Sequence, residues 1–343
     1  MIISFCVSFK IKIGIFWRQI FNEFCTFEVR NATKGTLKMT KVRKFIDIGA
    51  NLTDLMYSGV YNGATKHSAD LEQVLKRSWD AGLEKIIITG GNLEESQKAL
   101  KIAETDERLF TTVGVHPTRC LEFEADPSHY LTQLRQTIEN GGKKVVAIGE
   151  CGLDYDRLQF CPKDVQKKFF EMQLDLTKTS NLPLFLHCRN AAEDLAEILG
   201  KYPNLRGVVH SFDGTIGEAR RFLDMNFFIG LNGCSLKTKE NLETVSLLPS
   251  DKILIETDCP WCEIRPTHAG YSFISKENLV TNSVKKEKWK IDCLVKGRNE
   301  PCNIRQVLDV IAVVKKENPD TLSKLIYENT LKFFFPDAIN TPL

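Results

Sequence analysis

Eight short runs rich in Ile, Val, Leu and Phe recur between residues 44 and 258, separated by segments in which amphipathic helical patterns recur. The runs are KFIDIG (44–49), KIIITGG (85–91), LFTTVGVH (109–116), KVVAIGE (144–150), LPLFLHC (182–188), RGVVHSF (206–212), NFFIGLN (226–232) and KILIETD (252–258). Their shortness and continuous apolar character mark strands buried on both faces. Between them, SADLEQVLKRSWDAGL, VQKKFFEMQLDLTKTSN and AAEDLAEILGKY space apolar side chains three and four residues apart, as one face of a helix requires. Strand and helix alternating eight times imply a parallel sheet with its outer face covered, and eight units close into an α/β TIM (β/α)8 barrel. An open doubly wound sheet is the competing architecture, but no glycine-rich phosphate fingerprint follows the first run. After the eighth run comes a long irregular stretch, residues 259–303, and then IRQVLDVIAVVKKE and PDTLSKLIYENTLKFFF read as helices that complete the wall. Loops of that length are commonly functional.

The first 38 residues stand apart. They are rich in Phe and Ile, carry basic residues and have only Glu23 and Glu28 as acids. Lys10 and Lys12 interrupt the apolar stretch early, so it reads poorly as a signal peptide, and no run approaches the roughly 20 apolar residues of a membrane span. Met39 directly precedes TKVRKFIDIG. The expected organisation is therefore an extension over residues 1–38, outside the fold, and a barrel domain over residues 39–343, with no membrane partner and no obligate protein partner. A net charge of +2 means that contact with nucleic acid has to come from a local basic surface. The 11 cysteines lack the spacing of a disulfide framework and are expected as free thiols.

In barrels of this type the active site forms where strands run into the loops that follow them. The ends of the runs carry His116, Glu150, His187, His210 and Asp258, with Asn92 after the second run and Asn232 at the end of the seventh. Three of the six histidines in the chain fall at these positions; His67, His129 and His268 do not. Convergence of five ionisable groups on one mouth is costly unless something compensates them, and a divalent cation is the simplest partner. Two imidazoles with two carboxylates suit Zn, Mn, Co or Mg without choosing among them. A carboxylate at Glu150 can bridge two ions about 4 Å apart, an arrangement used in phosphodiester hydrolysis, and Asp258 would then orient or deprotonate the attacking water.

The segments TGGN (89–92), VGVHPT (113–118), AIGECGLDYD (147–156), FLHCRNA (185–191), VVHSFDG (208–214), GLNGCSLK (230–237) and IETDCPW (255–261) resemble, in this order, the TatD family of metal-dependent deoxyribonucleases. FIDIGANLTD, RLQFCPKD, THAG and GRNEPC are most similar to a eukaryotic subgroup of it. The resemblance runs from about Phe45 to Phe335 and implies an amidohydrolase-like barrel that cleaves DNA, located in the nucleus with the cytoplasm as the alternative. Residue by residue, it implies metal ligands at Glu150, His187, His210 and Asp258. It also implies a substrate-binding position at His116, beside which Arg119 and Arg189 would neutralise phosphate oxygens, and Asp154 would steady the loop of Glu150. Other barrels of the family begin Asp-x-His-x-His-Leu, and here that frame reads Asp47, Ile48, Gly49, Ala50, Asn51, Leu52. With both histidines absent, the expectation is one divalent ion (Mg, Mn or Zn) held tightly and a second held weakly.

Two further signals are weaker. Cys259-Pro260-Trp261-Cys262 has C-x-x-C spacing but no second pair nearby in sequence. VKKEKWKIDCLVKGR (284–298) is basic around Trp289, and reads equally as a DNA-contacting patch and as a solvated loop. The leading function is a deoxyribonuclease, most readily a 3′ to 5′ exonuclease because a deep barrel mouth admits a strand end. The alternatives are an amidohydrolase or deacylase acting on a small amide or ester, a class that often bridges its metals with a modified lysine where this chain has Glu150, and a catalytically weak metal-binding barrel.

Overall fold

The computed structural model describes residues 43–338. The expected extension over residues 1–38 lies outside the described residues. Every one of the eight runs forms a strand: β1 Phe45–Ala50, β2 Leu83–Ile88, β3 Leu109–Val113, β4 Val145–Asp154, β5 Leu184–Arg189, β6 Gly207–Val209, β7 Phe228–Leu231 and β8 Ile253–Ile255. Helices α1 Leu71–Asp80, α2 Leu93–Ala103, α3 Pro127–Gly141, α4 Lys163–Leu174, α5 Ala192–Gly200, α6 Ile216–Asp224, α7 Lys239–Leu247 and α8 Ile304–Lys315 follow them in turn, and α9 Pro319–Phe334 comes last. The strands lie in chain order, each parallel to the next.

The seam between β8 and β1 is joined just past the strand ends. There Asp258 N donates to Gly49 O at 2.8 Å and Asn51 N donates to Cys259 O at 2.7 Å. The buried Asp47 carboxylate ties the same seam by accepting from Thr257 N and Thr257 Oγ1, and burial pushes its pKa up to about 8. This closure puts the loops of the first and last strands side by side at the C-terminal mouth.

Alternation along each strand divides the core into two layers. Ile46, Ile48, Ile87, Phe185, Val208 and Leu254 fill the barrel interior, while Phe45, Ile86, Ile88, Leu109 and Val113 pack outward against the helices. The N-terminal end of the barrel is stoppered by Phe333, Phe334 and Phe335. Phe335 meets Phe110 near the start of β3 at 4.6 Å between ring centroids, and Phe333 meets Phe228 at the start of β7 at 4.8 Å. Polar chemistry is thereby confined to the opposite end.

Helix starts are signalled locally. The Asn92 side chain accepts from Glu95 N at 2.8 Å, capping α2; Thr215 and Glu218 form a capping box on α6; Asn318 caps α9 just before Pro319. Each such cap is worth about 1 kcal/mol. Asn92 also donates to Glu122, so this strand-end asparagine is spent on structure.

The long segment after β8 returns to the body through Arg298, which is 2% exposed. Its guanidinium grips Asp70 at 2.7 and 2.6 Å and Glu300 at 2.9 Å, while Arg77 holds the other oxygen of Glu300 at 2.8 Å. Tyr57 donates to Asn299 O and Asn299 donates to Thr257 O, so the far end of the segment is pinned against the loop after β1 and the end of β8.

Candidate metal centre

β4 supplies the central carboxylate. Its pairing with β5 shifts register between Ile148 and Cys151, and Glu150 N there donates across to Gly90 O on the β2 side. The side chain is buried, and Oε1 lies 2.7 Å from His187 Nδ1, 2.7 Å from His210 Nε2 and 3.5 Å from His116 Nε2. His187 is on β5 and His210 immediately follows β6, so three neighbouring strands converge their polar ends. Glu150, His187 and His210 present three ligand atoms within 4.8 Å of one another.

The opposite nitrogens of both rings also face carboxylates. His187 Nε2 is 3.2 Å from Asp154 Oδ2, and His210 Nδ1 is 3.4 Å from Glu256 Oε2. A neutral imidazole has one N–H and cannot donate on both sides. At His187, where both nitrogens lie within hydrogen-bonding distance of a carboxylate, an ion between the ring and Glu150 would resolve the conflict, so this donor set fits a divalent cation. Burial opposes charge on His210, but Glu150 and Glu256 outweigh it and hold the imidazole well above its ordinary pKa. Burial also opposes ionisation of Glu150, yet the charge of His210 and the hydrogen bonds from His187 and His210 keep its pKa well below the carboxylate range.

Asp258 lies just past β8 at the seam. Its Oδ1 accepts from Asn51 Nδ2 at 2.9 Å and its Oδ2 accepts from Cys262 Sγ at 3.1 Å. It belongs to neither ligand cluster found among the described residues; the second cluster is His116, Asp154 and His187. Burial, opposed by His210, lifts its pKa to about 6. Asp154, expected to steady the loop of Glu150, accepts from Asp156 N at 3.0 Å through one oxygen and reaches a ring nitrogen of His187 with the other.

His116 sits beyond β3 as the cap of the turn Pro117–Phe123. Thr118 N donates to its Nδ1 at 3.1 Å, and burial drives its pKa down to about 3. The ring is thus neutral with its proton on Nε2, directed toward Glu150. Arg119 and Arg189 are already engaged. Arg119 Nε donates to Glu122 at 2.6 Å, and Arg189 is ion-paired with Asp213. Trp289 of the basic segment stacks on His67 at 4.9 Å between centroids, and the Lys286 ammonium lies over the Tyr61 ring.

Two features escape a reading along the chain. The first is Glu256, wholly buried, whose Oε1 accepts from Ser211 N at 2.5 Å and from Asn232 Nδ2 at 3.3 Å, while Oε2 has no hydrogen-bond partner. A Cβ on Gly49 would lie 2.3 Å from that Oε2. The carboxylate of Glu256 thus occupies the space that a histidine at position 49 would need, and Asn51, at the other missing position, holds Asp258. A usable signal existed, since Leu254, Glu256 and Asp258 alternate on one face. The second feature is the partner of Cys262, which is not Cys259 in its own motif but Cys234 in the loop after β7.

Residues 46–335 match the family model described as TatD related DNase. A protein named Deoxyribonuclease Tat-D from Schizosaccharomyces pombe is 47% identical over 300 residues, covering 85% of this chain and 96% of that protein. A 3′-5′ ssDNA/RNA exonuclease TatD from Pantoea ananatis is 33% identical over 297 residues, covering 84% and 98%. The solved structure of a TatD family hydrolase from Entamoeba histolytica aligns with a TM-score of 0.82 at 39% identity, over 86% of this chain and 99% of that one.

Proposed function

The chain belongs to the TatD-related deoxyribonuclease family, and from that membership we propose that it is a metal-dependent hydrolase of DNA phosphodiester bonds, acting from the 3′ end. The observation that carries the reading is the single oxygen of Glu150 standing 2.7 Å from both His187 Nδ1 and His210 Nε2. Glu150, His187 and His210 would hold a divalent ion, Mg, Mn or Zn, with Glu150 able to extend to a second. A bound ion supplies Lewis acidity at the phosphate and lowers the pKa of water.

The remaining steps belong to the chain. Asp258 accepts the proton of the attacking water, for which its raised pKa suits a carboxylate. Neutral His116 offers its Nε2 proton to a phosphate oxygen. Arg119 and Arg189 reach phosphate by exchanging Glu122 and Asp213 for it. Asn51 and Gly49 leave the seam side short of donors, which supports one tight and one weak ion. The lysine that bridges metals in many amidohydrolases is replaced by Glu150, which favours the nuclease, as does the naming of its relatives as deoxyribonucleases and exonucleases.

The test is degradation of 5′-labelled single- and double-stranded DNA, RNA and generic esters or amides across Mg, Mn and Zn, beside Glu150→Ala and His187→Ala. A ladder on DNA that falls about 100-fold or more in both variants is expected. Undiminished cleavage in both would remove the proposed site, and hydrolysis confined to amides would replace the reading. Calorimetry showing two equally tight ions would contradict the asymmetry.

A further inference from the structure

We infer that Cys234 and Cys262 form a reversible dithiol–disulfide site at the rim of the metal centre, and that its oxidation releases the Asp258 carboxylate from the Cys262 thiol. The two sulfurs are 2.7 Å apart, already inside van der Waals contact. Two thiolates sharing one tetrahedral zinc are held roughly 3.8 Å apart by Zn–S bonds of about 2.3 Å, so this spacing suits a sulfur–sulfur bond and not a shared metal. The backbones carrying them are also in contact: a Cβ on Gly233 would lie 1.9 Å from the Cys262 carbonyl oxygen. A disulfide needs closely approaching backbones, and here the loops after β7 and β8 meet without movement.

Access and selectivity favour this pair. Cys234 and Cys262 are both partly exposed, whereas Cys259 is wholly buried. The C-x-x-C motif therefore does not close on itself. Its second cysteine meets the neighbouring strand's loop instead.

A hydroperoxide is the oxidant class the reaction needs. One thiol, losing its proton, attacks the peroxide oxygen; the O–O bond breaks, giving a sulfenic acid and water. The second sulfur attacks the sulfenic sulfur, the S–S bond forms, the S–O bond breaks, and hydroxide leaves with that thiol's proton as water. In sum, two thiols lose two protons and two electrons, hydrogen peroxide is reduced to two waters, and a dithiol reductant reverses the change.

The consequence lies at Asp258. In the reduced protein the Cys262 S–H is the donor to Asp258 Oδ2, and Asn51 serves Oδ1. A disulfide has no proton to give, which leaves Oδ2 a buried anionic acceptor whose available partner is a cation. This coupling rests on the metal reading of the site, and it makes the oxidised protein the tighter metal binder.

The test uses the full chain, reduced or treated with hydrogen peroxide, alkylated, digested with trypsin and mapped by mass spectrometry, beside a calorimetric titration with Mn2+. The expected product joins residues 222–237 to residues 253–276 through Cys234 and Cys262, lighter by two hydrogens and reopened by dithiothreitol. Oxidation should tighten Mn2+ about tenfold. The Cys234→Ser variant should show neither effect, and reversal of the wild type by dithiothreitol gives the same control without a substitution. Thiols that stay alkylatable after peroxide, a cross-link through Cys259, or a disulfide that leaves Mn2+ affinity unchanged would each overturn the proposal. If reduced Glu150→Ala binds Mn2+ as the wild type does, the metal reading fails, while the mapped cross-link still stands or falls on its own.

Discussion

Glu256 shows how one buried carboxylate can take the place of an absent histidine side chain, the one missing at Gly49. Its Oε1 is held by Ser211 N and Asn232, so its Oε2 is fixed between His210 Nδ1 and the open side of Gly49. A carboxylate behind a metal-binding imidazole selects the tautomer that leaves the other nitrogen free for the ion. Glu256→Gln keeps the shape but can turn an N–H toward His210. The expected result is a metal affinity about 10- to 100-fold weaker, read by calorimetry, with the thermal midpoint little changed. Equal affinity would show that Glu256 only fills space. The strand ends identified Glu150, His187, His210 and Asp258 because alternation along a strand exposes which side chains reach the mouth. Glu256 obeys the same alternation, yet its target is the empty side of a glycine on another strand, and no spacing along the chain announces that meeting.

Among the elements, the long segment after β8 depends most on a single side chain. Arg298 is buried with Asp70 and Glu300 and is shared between them, with Arg77 closing the group from α1. Burial of charge is tolerable here because nearly every hydrogen-bonding position is met, and removing the cation would strand Asp70 and leave Glu300 to Arg77 alone. Arg298→Met should therefore cost about 3–5 kcal/mol of stability by denaturant unfolding. The paired replacement that also makes Asp70→Asn and Glu300→Gln should recover much of it, and failure to recover would place the loss in packing instead. The basic stretch within the same segment is also more tied down than its composition implies, since Trp289 rests on His67 and Lys286 on Tyr61. Composition conveys charge; it does not convey which aromatic ring lies beneath.

For the molecule as a whole, the barrel divides labour between its ends. Phenylalanines from the end of α9 close the N-terminal end, and buried carboxylates and imidazoles face one another at the C-terminal mouth. Those groups repel or go unpaired unless protonated or bound to a cation, so the folded chain should be stabilised by any ion it binds. With free metal at 100 times its dissociation constant, the gain is about 2.7 kcal/mol. A chelator should then lower the thermal midpoint by several degrees, Mn2+ or Zn2+ should restore it, and Glu150→Ala should respond to neither. A midpoint indifferent to metal in the wild type would count against the cation. The same division explains what could be read along the chain. Repeated hydrophobic periods specify how many strands and helices form and which faces they bury, and with eight units those faces can be satisfied together in a barrel. From there the ends of the strands, and which ionisable side chains gather at the mouth, follow. Arg189 with Asp213, Cys234 with Cys262 and Glu256 with Gly49 could not be read in that way, because each pairing joins residues from different strands or loops. Periodicity encodes the face a side chain takes. Its neighbour across the mouth is chosen by barrel closure and by the path of each loop, and these follow from packing the entire chain at once.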